Sequence, residues 1–362
     1  MSAPPPPPQP PPPPKITNPI PATPKSPLTL TPSVLKKTVI SHDASTPNLA
    51  RFKKAAADRA AAGKPLRPTT TPTTTSAPPT PTAISLKSLY NILCDVGLTF
   101  KILDVRSAQA WSRGRVKLST FLGDRTDNVD ELAAAARQEL ALAGITFARC
   151  IIVGDGDSVA IVAREAARDS VAAKLRLIGT VSSDVFEQLS STFPFLMRTD
   201  ASSSALDPLA RPVKYPSLIV DTWLYLGAAE HAKDPRVVAD LGITHILNMA
   251  DELENAHDPS AIVYFNGHCD DNEGQSLRDK VADILAFFAS VKRAGGVVLC
   301  HCAMGISRSS AAVIAYLMAT DGIPYDEAAS QVRAQRSIIR PNPGFEAQLR
   351  EMEAELIARA SA

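Results

Sequence analysis

The residues best equipped for chemistry lie together, in Val298-Leu299-Cys300-His301-Cys302-Ala303-Met304-Gly305-Ile306-Ser307-Arg308-Ser309-Ser310. An apolar run ends in His301-Cys302, five residues separate Cys302 from Arg308, and an apolar helical pattern follows. That order reads as a strand, a tight loop and a helix. The N–H groups of such a loop converge with the helix N-terminus on one point, and the concavity binds a phosphate-like anion. The same concavity stabilises a thiolate, so Cys302 is expected to be a nucleophile at neutral pH. Arg308 offers a planar fork able to grip two phosphoryl oxygens at once. A lone Cys ahead of a helix is ordinarily a buried core residue. Here His301, Cys302, Gly305, Arg308 and Ser309 fall together at fixed offsets in the required strand–loop–helix setting.

The surrounding pattern predicts an α/β domain over residues 214–362. Ser217–Asp221 and Leu224–Gly227 read as short strands about a turn, Asp234–Leu241 as a helix, and Thr244–Met249 and Ile262–Asn266 as strands. Leu277–Lys292 is an amphipathic helix stopped at Ala294-Gly295-Gly296, and Val297–His301 delivers Cys302. Ser309–Thr320, Tyr325–Arg336 and Pro343–Ile357 complete the domain as helices. The thiol then sits beyond the carboxyl end of a strand, where ligands bind in such sheets.

Upstream, residues 84–197 alternate strand and helix patterns, which implies a second, parallel α/β domain. A helix covers Leu86, Leu89, Ile92 and Leu93; strands follow at Thr99–Arg106, Phe147–Val153 and Leu175–Ile178, and helices at Val129–Leu142, Val159–Ala173 and Asp184–Thr192. Asp155 and Asp157 on the Gly154–Asp157 loop are two carboxylates with no further ligands nearby, and a solvated turn accounts for them better than a metal site. Residues 198–213 are a Ser/Ala/Asp/Pro linker.

Residues 1–83 are a Pro/Thr-rich tail expected to be disordered, since they hold few aromatics and no sustained apolar period. The tail carries ten basic residues and two acids, a net +8 in a chain whose formal charge is +1. Pro10-x-x-Pro13-x-Lys15 fits an SH3 groove, although a stiff solvated spacer is the simpler role. Thr23-Pro24, Ser26-Pro27 and Thr31-Pro32 are potential sites for proline-directed kinases. The five cysteines are odd in number and lack zinc-type spacing, so neither a disulfide framework nor a structural zinc is expected. No signal peptide is visible, and the apolar run at Ala311–Ala319 is too short to span a bilayer. A reducing compartment suits a reactive thiol, so a cytoplasmic or nuclear setting is expected. The acidic balance outside the tail disfavours nucleic acid as a partner.

His301-Cys302-x-x-Gly305-x-x-Arg308-Ser309 resembles the signature of cysteine-based protein phosphatases, and Gly305–Ser310 running into Ile314-Ala315-Tyr316-Leu317-Met318 looks like the dual-specificity subgroup. Trp223–Gly227, Leu241–Asn248 and Arg340-Pro341-Asn342-Pro343-Gly344-Phe345 match family blocks in order. The resemblance implies that Cys302 attacks phosphorus, that Arg308 and the amides of Ala303, Met304, Gly305, Ile306, Ser307 and Arg308 hold the equatorial oxygens, that Ser309 hydrogen-bonds the sulfur, and that His301 orients the loop and helps keep the thiolate. The family's spacing places the general acid at Asp271, 31 residues before Cys302, with Asp270 as the rival. No metal or other cofactor is required. The loop interior holds no Lys, which disfavours a phosphoinositide and favours a shallow pocket for phosphotyrosine and phosphothreonine.

Lys101–Arg106 followed by Ala110–Val116 resembles the start of a rhodanese-like domain, with Arg115 in place of that family's His. No Cys occurs between 151 and 268, so this domain is expected to bind or support rather than to catalyse. A rhodanese-like domain before a dual-specificity domain is the arrangement of MAP kinase phosphatases, which implies a MAP kinase substrate. The Arg-rich docking cluster of those proteins is spread here over Arg113, Arg115 and Lys117, so the two expectations are docking through Lys36-Lys37 and no docking motif. The competing expectations are an atypical dual-specificity phosphatase with other substrates, a catalytically silent phosphoprotein-binding scaffold, and an RNA 5′-triphosphatase.

Overall fold

The computed structural model describes residues 82–95, 100–116, 119–122, 128–146, 149–173, 176–198 and 213–359. The tail motifs, Lys117 and nearly all of the 198–213 linker lie outside the described residues.

The N-terminal part is built on a parallel sheet. Helix α1 (Leu86–Cys94) is capped by the Ser85 side chain, which accepts from the Ser88 N–H. Strand β1 (Phe100–Asp104) leads into helix α2 (Ala108–Arg113), short strands β2 (Arg115–Val116) and β3 (Ser119–Phe121), and helix α3 (Val129–Thr146). Strand β4 (Arg149–Val153), helix α4 (Gly156–Ala173), strand β5 (Arg176–Val181), helix α5 (Ser183–Thr192) and strand β6 (Met197–Arg198) complete it. The sheet order is β3-β1-β4-β5, all parallel, while β2 and β6 form a separate antiparallel pair. The central strands are buried on both faces, as their Ile/Leu/Val runs require. Asp155 accepts from the Ser183 N–H at 3.1 Å, so this carboxylate serves the start of α5, and no group of three or more potential metal ligands occurs among the described residues. The guanidinium of Arg115 stacks over Trp111 at 5.2 Å. Helix α2 has only six residues and no buried ones, and it left no apolar period to detect.

The C-terminal part holds a five-stranded sheet. Strands β7 (Ser217–Val220) and β8 (Leu224–Ala228) form the hairpin, followed by helices α6 (Ala229–Lys233) and α7 (Pro235–Asp240) and strand β9 (His245–Ala250). Strand β10 (Val263–Cys269), helix α8 (Arg278–Arg293), strand β11 (Val298–Cys302) and helices α9 (Arg308–Asp321), α10 (Tyr325–Gln335) and α11 (Pro343–Arg359) follow. The order β10-β9-β11-β8-β7 places β11 at the centre, parallel to both neighbours, and β7 is the antiparallel edge. Strand β10 runs three residues beyond the expected Asn266, through an irregularity between Asn266 and Cys269 and a left-handed His268 at φ 46°. That extension carries the chain toward Asp270 and Asp271 at the same end of the sheet as Cys302.

One face of this sheet packs on α8 and α9, with Phe288 at 0% exposure between Trp223 and Tyr316. Helix α9 is buried from Arg308 to Met318, so its apolar positions surround the axis rather than forming one stripe. No described helix is long and apolar enough to cross a membrane. Truncating Phe288 to Ala removes a fully buried ring, and urea unfolding should show a loss of about 3–5 kcal/mol. A loss below about 1 kcal/mol would contradict the packing described.

Candidate active site

Strand β11 delivers Cys302, which is 2% exposed, into a loop of five residues that ends at the first turn of α9. Each carbonyl of that loop is bound from outside it. The Ala303 carbonyl accepts from Ala229 N–H at 3.1 Å. The Met304 and Gly305 carbonyls accept from Arg336 Nη2 at 3.1 Å and Nε at 2.8 Å. The Ile306 carbonyl accepts from Arg340 N–H at 2.8 Å and Ser310 Oγ at 2.6 Å, and the Ser307 carbonyl from Ser310 Oγ at 2.8 Å and Ala311 N–H at 2.9 Å. A planar trans peptide points its carbonyl and its N–H to opposite sides. Outward carbonyls from Ala303 to Ser307 therefore turn the amides of Met304 to Arg308 inward, which is the geometry of an anion hole.

The sulfur sits at the floor of this loop. Gly305 N–H donates to Cys302 Sγ at 3.3 Å and Ser309 Oγ donates to it at 3.2 Å. Gly305 has φ +68°, and a Cβ there would lie 2.3 Å from the Gly227 carbonyl, so both the turn and the close approach to β8 require glycine. His301 is buried, and its Nδ1 lies 3.4 Å from the Cys302 carbonyl.

The far end of the Arg308 guanidinium is tied down by protein groups. Its Nη1 and Nη2 donate to the Glu252 carboxylate at 2.6 and 2.7 Å, and Nη1 also donates to the Cys269 carbonyl at 3.1 Å. Nε is buried, has no hydrogen-bond partner among the described residues, and lies 3.7 Å from Asp271 Oδ2. The guanidinium carries five N–H donors in a rigid plane. With its far end tied to Glu252, the edge left for an anion is the Nε side. Burial works against the charge of Arg308, but Glu252, Cys302 and Asp271 outweigh it and hold the guanidinium above its ordinary range. The same contact holds the Glu252 carboxyl below its ordinary range.

Asp271 stands over the loop. Its Oδ1 accepts from Ser307 Oγ at 2.6 Å and from Asn342 Nδ2 at 3.0 Å. Asn342 N–H also donates to Ser307 Oγ at 3.0 Å, which closes a ring of contacts among the three. The rival, Asp270, is exposed, and its own N–H is held by Gln275. The segment is pressed against the start of α11, where a Cβ on Gly344 would meet the Glu273 carbonyl at 2.1 Å.

The structure thus brings Cys302, Gly305, Ser307, Arg308, Ser309 and Asp271 to one place. Glu252, Arg336 and Asn342 join them, and none of the three was among the expected site residues. Glu252 had a signal, as an acid just beyond the carboxyl end of a strand. Asn342 lay in the Arg340–Phe345 block with no role attached, and Arg336 lay at the end of a helix and signalled nothing.

The remaining thiols are unlike Cys302 in setting. Burial pushes Cys269 up to about 11, Cys150 and Cys94 to about 12, and Cys300 well up. Cys300 is fully buried, with its Sγ 3.5 Å from the Ser309 carbonyl, a core position. Burial also lowers His301 and His231 from 6.5 to about 4, so both are neutral at pH 7. Their folded values lie below the unfolded one, so the stability they contribute is complete above about pH 6.5 and is lost as pH falls toward 4. Thermal unfolding should show the midpoint dropping across that window, and histidine ring resonances of His231 and His301 should hold constant from pH 8 to about 5. Titration of either ring near 6.5 in the folded chain would contradict this account.

Against known proteins, residues 224–355 match the model of the dual specificity phosphatase catalytic domain. A probable rhodanese domain-containing dual specificity protein phosphatase of Dictyostelium discoideum is 37% identical over 172 residues, which are 47% of this chain and 36% of that protein. Dual specificity protein phosphatase 1 of Arabidopsis thaliana is 38% identical over 138 residues, covering 38% of this chain and 69% of that protein. Among solved structures, the human tyrosine phosphatase-like serine/threonine/tyrosine-interacting protein is 33% identical, with a TM-score of 0.37, over 40% of this chain and 98% of that one. The chain thus spans about a third of the Dictyostelium relative and about two thirds of the Arabidopsis one. With the anion loop, the buried arginine and the carboxylate above them agreeing with that match, the chain belongs to the dual-specificity phosphatase family.

Proposed function

We propose that this chain is a cysteine-dependent protein phosphatase that removes phosphate from phosphotyrosine and from phosphothreonine or phosphoserine through a phosphocysteine intermediate. The observation that carries this is the convergence of the Cys302 sulfur, the inward amides of Met304 to Arg308, the Nε edge of Arg308 and the Asp271 carboxyl on one concave loop.

In the first step, Cys302 Sγ forms a bond to phosphorus as the bond to the leaving oxygen breaks. The equatorial oxygens are held by the loop amides from Met304 to Arg308 and by the Arg308 side chain, where pre-set donors stabilise the developing charge. Asp271 gives its proton to the leaving oxygen. In the second step Asp271 takes a proton from water as water attacks the phosphocysteine. Ser309 hydrogen-bonds the departing sulfur. His301, neutral and buried, orients the loop rather than lending it charge. Ser307 and Asn342 hold Asp271 in place. Met304 stands 66% exposed at the rim, which suits an open, shallow entrance for a protein segment rather than a deep slot.

We assign residues 84–197 as a rhodanese-like domain without a catalytic thiol, 198–213 as a linker and 214–362 as the catalytic domain, acting in the cytoplasm or nucleus. A MAP kinase is the substrate proposed, on the order of the two domains. The alternative kept is a dual-specificity phosphatase acting on other phosphoproteins, because the basic residues of the first domain form no docking run: Arg115 is stacked on Trp111.

Wild-type protein should hydrolyse a small aryl phosphate, Cys302→Ser should abolish turnover, and Asp271→Asn should lower kcat by about 10² or more. Asp270→Asn should retain most activity. A larger loss at position 270 than at 271 would transfer the acid role to Asp270, and absence of turnover by the wild type would leave only a binding scaffold. For the substrate, a trapping Cys302→Ser variant should enrich doubly phosphorylated MAP kinase from cell extract. Recovery no greater than with wild type would exclude the MAP kinase assignment.

A further inference from the structure

Helix α1 belongs by sequence to the N-terminal sheet, but its polar face is spent on the C-terminal one. Lys87 Nζ donates to the Ile219 carbonyl at 3.1 Å and Tyr90 Oη donates to the Pro216 carbonyl at 3.1 Å. Asn91 goes further. Its Oδ1 accepts from Leu218 N–H at 2.7 Å and its Nδ2 donates to the Leu218 carbonyl at 2.8 Å. One side-chain amide thus pairs with edge strand β7 as a neighbouring strand would. The same Nδ2 donates to Gln335 Oε1 at 2.7 Å. Asn91 is 8% exposed, so these bonds are largely shielded from water.

Gln335 is the last residue of α10, and the next residue is Arg336, whose Nε and Nη2 hold the Gly305 and Met304 carbonyls. Those are the two carbonyls at the apex of the anion loop, and Gly305 N–H is the amide that meets the Cys302 sulfur. The Arg336 guanidinium also lies within electrostatic range of Asp95, the residue that ends α1, and of Cys302. Apolar contacts keep the arrangement in register: Leu89 and Tyr90 share one buried cluster with Leu218, Tyr225 and Leu299. Tyr90 meets Tyr225 edge to face with ring centroids 6.0 Å apart.

We propose that Asn91 is a positioning residue for the anion loop: by fixing Gln335 it sets the end of α10 from which Arg336 holds the Met304 and Gly305 carbonyls. The N-terminal domain is then part of the catalytic domain's support, with a defined route from one to the other. This rests on the assignment of the loop as the phosphate site.

The test uses the full chain with Asn91→Ala, Gln335→Met and the double variant. It reads kcat and KM on a small aryl phosphate, inhibition by orthovanadate, and binding of tungstate by calorimetry. Gln335→Met removes the link to Asn91 while leaving the Leu218 pairing in place, so it remains informative if Asn91→Ala unfolds. The expected result is a three- to ten-fold fall in kcat and a similar fall in vanadate and tungstate affinity for each single variant. The double variant should be no worse than the weaker single one, because both cut the same route. Arg336→Lys should retain more oxyanion affinity than Arg336→Ala. Folded single variants with wild-type kcat and wild-type oxyanion affinity would overturn the proposal, as would losses that multiply in the double variant. If wild type hydrolyses nothing, the phosphatase assignment fails, and the tungstate comparison still decides whether Asn91 shapes the loop.

Discussion

The structure turns on five consecutive carbonyls, Ala303 to Ser307, each fixed by a donor outside the loop. A peptide has two faces of opposite polarity, and holding one face outward presents the other inward. The donors come from the start of α6, the end of α10, the connector at Arg340 and the first turn of α9. A loop whose shape is set this way cannot be built from its own residues. It is an imprint of the elements packed around it, and that accounts for the attention the chain gives to placing α6, α10 and α11 around the end of β11.

Charge in the site follows from burial. Arg308 is 6% exposed in its side chain, and an isolated buried guanidinium would be costly. Glu252 supplies the opposite charge, and the Cys269 carbonyl accepts a further hydrogen bond from Nη1. Holding the far end of the guanidinium has a second effect, since it leaves the near edge beside Asp271. The two histidines near the loop contribute in a different way. Burial keeps His301 and His231 uncharged, so they shape the backbone without adding to the field.

The two sheets are joined by more than chain continuity. One buried cluster contains Ile151 and Val153 of the first sheet with Leu218, Tyr225 and Leu299 of the second. A shared core of that kind disfavours independent motion, because separation would expose apolar surface from both sides. Asn91 adds direction to this cohesion by satisfying the edge strand β7, which would otherwise present unpaired backbone groups.

Much of this was legible in the residue pattern alone. Continuous apolar runs located most strands and a 3.6 period most helices, because burial leaves a local trace in the chain. The Cys302–Ser309 spacing announced an anion loop, because the residues that build it are neighbours in the chain. Helices α2 and α6 left no such trace, being six and five residues long. The tie between Arg308 and Glu252 could not be read either, since the two lie 56 residues apart. The same holds for Asn342 on Asp271, 71 residues apart, and for Asn91 on Gln335, 244 residues apart. Sequence by itself determined which residues are equipped for the proposed chemistry, because side-chain type and local spacing are properties of the chain. Only the tertiary structure decided how those residues are aimed, because orientation depends on hydrogen bonds between segments that no local period connects.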